Sequence, residues 1–150
     1  MSVEIIGIDH IYVAVRDPGR SEQFYDRVMR VLGFRKGRST IAGEPHIHYY
    51  GRHFGYSLRP ARAGTAEHDP YAPGLHHFCL RVVDEAAVDR AARELRAAGI
   101  EATDPRFYPE YDADYYATFF SDPDGVRLEI TNFRARRRRR MYDWDAEGGT

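Results

Sequence analysis

A single cysteine, Cys79, stands among 150 residues, so no intrachain disulfide can form and a zinc cage built of cysteines is excluded. No apolar run approaches the ~20 residues of a membrane-spanning helix. The N-terminus, MSVEIIGIDH, lacks the basic region and long apolar stretch of a secretory signal, so a soluble, cytoplasmic protein is expected. An excess of either charge is also missing, since 22 basic and 23 acidic residues leave a formal net charge of −1. The exception is local: six of the seven residues from Arg134 to Arg140 are arginine. Such a run can contact nucleic acid or membrane, but it reads more simply as a solvated terminal helix or tail, followed by the neutralising acids Asp143, Asp145 and Glu147. Neither nucleic acid nor membrane is an expected partner.

What is present suits one globular domain over 1–150, with 43% hydrophobic and 30% charged residues. The chain also repeats itself. GIDHIYVAVRD (7–17) returns as GLHHFCLRVVD (74–84), and a displacement of 67 residues carries His10 onto His77. A helix is expected after each copy. In the first, Asp17 caps, Pro18 fits the first turn, Phe24, Val28, Val31 and Leu32 make an apolar stripe, and Gly33 ends it. In the second the cap is Asp84, the stripe Val88, Ala91, Ala92, Leu95 and Ala98, and the stop Gly99. Strand-prone runs follow at 34–41, 46–50 and 54–59, and again at 100–103, 115–121 and 126–132. Asp122, Pro123, Asp124 and Gly125 have the residue types of a tight turn. The organisation is thus a strand-helix-three-strand module at 5–60, a Pro- and Gly-rich linker at 60–74, a second module at 74–133, and a tail at 134–150.

Strand parity sorts the side chains, because alternate residues face opposite sides of a sheet. Ile11, Val13 and Val15 form the bed for a helix, leaving His10, Tyr12 and Ala14 on the other face. Phe78, Leu80 and Val82 likewise leave His77, Cys79 and Arg81, and Val126, Leu128 and Ile130 leave Arg127, Glu129 and Thr131. His76 falls on the helix-covered side or at the strand's edge. If the sheets curve into a shared trough, His10, His77 and Glu129 can converge there. Two imidazoles and a carboxylate suit a divalent transition metal, Fe2+, Mn2+, Zn2+ or Ni2+, with positions open to water or substrate. A lone strand histidine is more often a hydrogen-bonded structural residue. Here the repeat-equivalent placement and common parity argue for a metal.

Three motifs are distinctive: YYATFFSDPDGVRLEI (115–130) with its FFSDPDG-x-x-LE core, FYDRVMRVLGF (24–34), and the histidine in GIDHIYVAV. Over residues 5–133 the chain resembles the vicinal oxygen chelate superfamily of glyoxalases, bleomycin-resistance proteins and dioxygenases. The resemblance implies an α+β fold of two βαβββ modules, with a U-shaped mixed sheet around a metal held by His10, His77 and Glu129. It also implies a metalloenzyme whose metal grips two adjacent oxygens of a small molecule as a Lewis acid, and in the dioxygenase branch also binds dioxygen. Glyoxalase I proteins carry a second carboxylate where this chain has Ser57, which argues against that branch. Ring-cleaving dioxygenases, which more often have four modules, thiol transferases that inactivate fosfomycin, and epimerases remain. A homodimer is expected on the same grounds. The alternative is a metal-free protein of this fold that binds antibiotics or aromatic natural products.

Other residues are candidates for lining the trough. Tyr12 follows His10 on one face, as a substrate contact or catalytic group. His48 could serve as general acid or base, although the parity of its strand is ambiguous. Ser57, Arg59, Arg81 and Tyr115 are candidate substrate contacts; either guanidinium could clamp a carboxylate or phosphate. Cys79 is read as a small hydrophobe rather than a nucleophile. The loop at 104–116 is a candidate lid.

Overall fold

Each of the two sequence repeats forms its own four-stranded mixed sheet in the structure, a computed structural model that describes residues 3–142. In the first, β1 (His10–Val15) leads to α1 (Pro18–Val31), then β2 (Arg35–Ile41), β3 (Glu44–Tyr50) and β4 (Gly55–Pro60). The second runs β5 (His77–Val82), α2 (Glu85–Ala97), β6 (Arg106–Phe107), β7 (Tyr116–Ser121) and β8 (Arg127–Asn132), followed by α3 (Ala135–Tyr142). The strand orders match, β1-β4-β3-β2 and β5-β8-β7-β6. In both sheets the first and last strands of the repeat run parallel, and the remaining pairs are antiparallel. This is the α+β vicinal oxygen chelate fold of paired βαβββ modules.

The local signals account for the helices. The Asp17 carboxylate accepts from the Arg20 amide at 3.0 Å, and Asp84 accepts from the Ala87 amide at 2.8 Å, satisfying donors that the first helical turn leaves open. After each helix Gly33 and Gly99 take φ of 76° and 79°, the left-handed conformation that glycine adopts without Cβ strain. The buried face of α1 is Ser21, Phe24, Tyr25, Val28 and Met29, one turn nearer the helix start than the expected stripe; Val31 and Leu32 are only half-buried. The α2 stripe is Val88, Ala91, Ala92 and Leu95, as expected, except that Ala98 becomes the C-cap.

Internal packing divides the chain into a first unit, up to Asp69 with Asp122–Gly125, and a second, Pro70–Ser121 with Val126 onward. Val13, Val15, Tyr25, Ile47, Tyr49, Tyr56 and Leu58 form the first core, in which the Tyr25 hydroxyl donates to Asp122 at 2.8 Å and meets the Tyr56 hydroxyl at 2.8 Å. Val88, Leu95, Ile100, Ala117, Phe120, Leu128 and Ile130 form the second.

The expected strand at 100–103 is not formed; β6 is instead the two-residue strand Arg106–Phe107. Thr103 alone bonds the edge of β7, its amide donating to the Phe119 carbonyl and its hydroxyl accepting from the Phe119 amide, both at 2.9 Å. Pro105 follows two residues later without an N–H, so a continuous ladder cannot run through it. The arginine run is helical and exposed from Arg136 to Arg140, but Arg134 is 5% exposed. The acids Asp143, Asp145 and Glu147 lie outside the described residues. Among those described, no helix is long and apolar enough to cross a membrane.

Candidate metal centre

In the second unit, β5 alternates as parity requires, with His77, Cys79 and Arg81 exposed and Phe78, Leu80 and Val82 half-buried. Parallel pairing sets Cys79 opposite Glu129. Glu129 is on the helix-free face, yet it is covered, with 2% of its surface exposed. Both carboxylate oxygens have neighbours that account for a buried charge: Oε1 accepts from the Tyr115 hydroxyl, and Oε2 lies 3.3 Å from His77 Nε2. Tyr115 is in turn stacked beneath the buried Arg134, whose guanidinium lies 4.1 Å from the ring centre and donates to Thr131 Oγ1 at 3.2 Å. Desolvation and the bond to Glu129 hold the Tyr115 hydroxyl above the usual phenol range, so it remains a neutral donor.

The His77–Glu129 spacing suits two ligands of one ion. Donors about 2.1 Å from a metal, at angles between square and tetrahedral, stand about 3.0–3.4 Å apart. His77 Nδ1 lies 2.8 Å from His76 Nδ1. With His77 as the donor in that contact, Nε2 presents its lone pair toward the carboxylate side. Cys79 is exposed rather than a buried hydrophobe, but desolvation of its thiol and the Glu129 carboxylate push it up to about 12, leaving it protonated at neutral pH.

The first unit carries the other candidates on its own helix-free face. His10 is exposed, and its Nδ1 lies 2.6 Å from Asp9 Oδ2, the arrangement that fixes a ligand histidine's tautomer and leaves Nε2 for a metal. Tyr12 follows, its hydroxyl 2.8 Å from Nδ1 of His46, a histidine 5% exposed. Register resolves the ambiguity at His48. It pairs with Ser57, which pairs with Tyr12, so all three share a face. His48 is fixed at both nitrogens, Nδ1 2.8 Å from Ser57 Oγ and Nε2 2.7 Å from Ser39 Oγ. Ser57 opposes Tyr12 as Glu129 opposes Cys79, so the structure places serine at the repeat equivalent of the carboxylate. The Arg59 guanidinium pairs with Glu44 on the neighbouring strand, and that of Arg81 lies 5.1 Å from the Phe133 ring centre.

Among the described residues no group of three or more His, Cys, Asp or Glu side chains is gathered as a metal cage. The second unit has a spaced pair, and the first an oriented histidine. Sequence reasoning missed Asp9, His46 and Arg134. Only Asp9 left a signal, as the acid next to His10.

A family model described as the Glyoxalase/Bleomycin resistance protein/Dioxygenase superfamily matches residues 7–130, and the chain belongs to that superfamily. It is 28% identical over 132 residues to the uncharacterized protein YaeR of Escherichia coli (strain K12), covering 82% of this chain and 93% of YaeR. Among solved structures it is similar to a glyoxylase/bleomycin resistance protein/dioxygenase domain from Frankia sp. EAN1pec, with a TM-score of 0.71 and 22% identity over 87% of this chain and all of that one. The fosfomycin resistance protein FosX of Listeria monocytogenes has a TM-score of 0.62 at 16% identity, covering 90% of this chain and 99% of its own. At these identities the solved structures establish the fold alone.

Proposed function

We propose that the protein is a metal-dependent enzyme acting on a small molecule with two adjacent oxygens, and that His10, His77 and Glu129 hold the metal. The observation that carries this reading is the pairing of His77 Nε2 with the buried Glu129 carboxylate at 3.3 Å, its second oxygen fixed by Tyr115. A covered carboxylate held by a tyrosine and facing a histidine is the kind of specific partnership of ionisable groups that clusters at functional sites. The metal, Fe2+, Mn2+, Zn2+ or Ni2+, would supply Lewis acidity to the chelated oxygens. Asp9 would orient His10, and Tyr115 would prevent the Glu129 carboxylate from rotating. Tyr12 and His48, which share a face and are each hydrogen-bonded, would hand a proton to or from the substrate. Ser57, Arg59, Arg81 and Tyr115 would line the substrate side. A homodimer is the expected assembly.

A second reading, metal-free binding of an aromatic natural product, is favoured by one feature. Tyr50 is 55% exposed and stacks on His48 with ring centres 6.0 Å apart, and Tyr12, 40% exposed, meets the same histidine edge-on, giving an exposed aromatic cluster.

The test is turnover by metal-reconstituted protein with fosfomycin plus a thiol or water, and with catechols under oxygen-uptake recording. Turnover that needs the metal and disappears in a folded Glu129→Ala variant supports the enzyme. Tight binding of aromatic compounds that is unchanged by Glu129→Ala, with no turnover, supports the alternative.

A further inference from the structure

Toward the far end of β1, about 13 Å from His10 to Ala14 at the ~3.3 Å rise per residue of a strand, the first unit has a second concavity. It is a cavity of about 570 Å³, within the range of small-molecule sites. Its walls come from the end of β1, the first turn of α1, the segment after β4 and the tip of the β7–β8 hairpin, all within the first unit. Three arginines, Arg16, Arg20 and Arg62, line it with His68, against the two carboxylates Glu67 and Asp124.

These groups divide into a frame and a remainder. Arg16 is the frame: its guanidinium donates to the Thr65 and Ala66 carbonyls, both at 2.9 Å, and its amide donates to Asp124 Oδ2 at 2.9 Å. That fixes the wall and occupies one of the two carboxylates. The remaining ionisable groups are Arg20, Arg62, His68 and Glu67. Neither the Arg20 nor the Arg62 side chain has a hydrogen-bond or ion-pair partner among the described residues, and His68 Nε2 is enclosed by protein. The two guanidiniums form a donor set for oxyanions, to which arginine presents paired N–H groups, and around the cavity three arginines outnumber two carboxylates.

We propose that this cavity binds a small organic oxyanion, a phosphate- or carboxylate-bearing molecule, with Arg20 and Arg62 taking its charged oxygens and His68 forming part of the wall beside it. The site requires no metal and stands whether or not His10, His77 and Glu129 hold one.

The experiment titrates the full-length protein with inorganic phosphate and, separately, with acetate, at low ionic strength. Ring resonances of the histidines in 15N–1H spectra report where each anion binds. The expected result is saturable movement of the His68 signals with Kd of about 1 mM or tighter. Affinity should drop at least tenfold in the Arg20→Ala/Arg62→Ala double variant, with an unchanged melting temperature. Because both arginines are exposed, the double variant should fold. A larger response to phosphate assigns a phosphate-bearing ligand, and a larger response to acetate a carboxylate. The proposal is overturned if neither anion moves the His68 signals, if only His10 or His77 respond, or if the double variant binds as the wild type does.

Discussion

The Tyr115 hydroxyl donates to Oε1 of Glu129, a carboxylate with 2% of its surface exposed, while His77 Nε2 faces Oε2 at 3.3 Å. The tyrosine therefore fixes which carboxylate oxygen is turned toward His77. Tyr115→Phe removes one partner of a buried charge, which costs about 1–3 kcal/mol. At roughly 2–4 °C per kcal/mol for a chain of this size, thermal melting should register the loss. Metal affinity should also fall, by about 10–100-fold, as when an outer partner of a ligand is removed. Melting and metal binding both equal to wild type would show that the hydroxyl does not restrain Glu129.

Tyr25, Tyr49 and Tyr56 give the first unit a predictable response to alkali. Desolvation raises all three phenols, and it is reinforced at Tyr25 by Tyr56 and Asp122 and at Tyr49 by the hydrogen bond to Asp26. A raised folded pKa means that the folded state keeps protons the unfolded chain loses at about pH 10. Their contribution is fully present below that pH and is lost as pH rises through the folded values. Urea midpoints should therefore hold steady through neutral pH and decline above about pH 10. Tyr56→Phe should make the decline shallower; an identical slope in wild type and variant would contradict the assignment.

Arg134 and Arg138 stand four residues apart in one arginine run but differ in burial, the former 5% exposed and the latter exposed. Arg134→Ala should destabilise by more than about 1 kcal/mol, through lost packing on Tyr115 and the lost bond to Thr131. Arg138→Ala should remain within about 0.5 kcal/mol of wild type. Equal effects on the chemical-unfolding midpoint would remove the distinction.

That contrast also marks how far the sequence could be read. Caps at Asp17 and Asp84, stops at Gly33 and Gly99, and the faces of β1 and β5 were legible, because each depends on neighbours within a turn of helix or on strand alternation. The repeat then doubled every local signal. His48 was not legible until its register with Ser57 was known, since a one-residue slip would have reversed its face. The burial of Glu129 escaped because its cover, Tyr115 and Arg134, comes from a loop and a segment beyond β8 rather than from the strand itself. Arg134 looked like its exposed neighbours for the same reason. The missing strand at 100–103 reflects Pro105, whose effect on the ladder exceeded the β preference of Ile100 and Thr103.

The measurement that tests the central claim most directly is metal content by elemental mass spectrometry, on protein purified without chelator beside His10→Ala, His77→Ala and Glu129→Ala, each checked for folding by circular dichroism. The account predicts a near-stoichiometric transition metal in the wild type and its loss in all three folded variants. A wild type that stays empty after iron, manganese, zinc and nickel are offered, or variants that retain the metal, would contradict it.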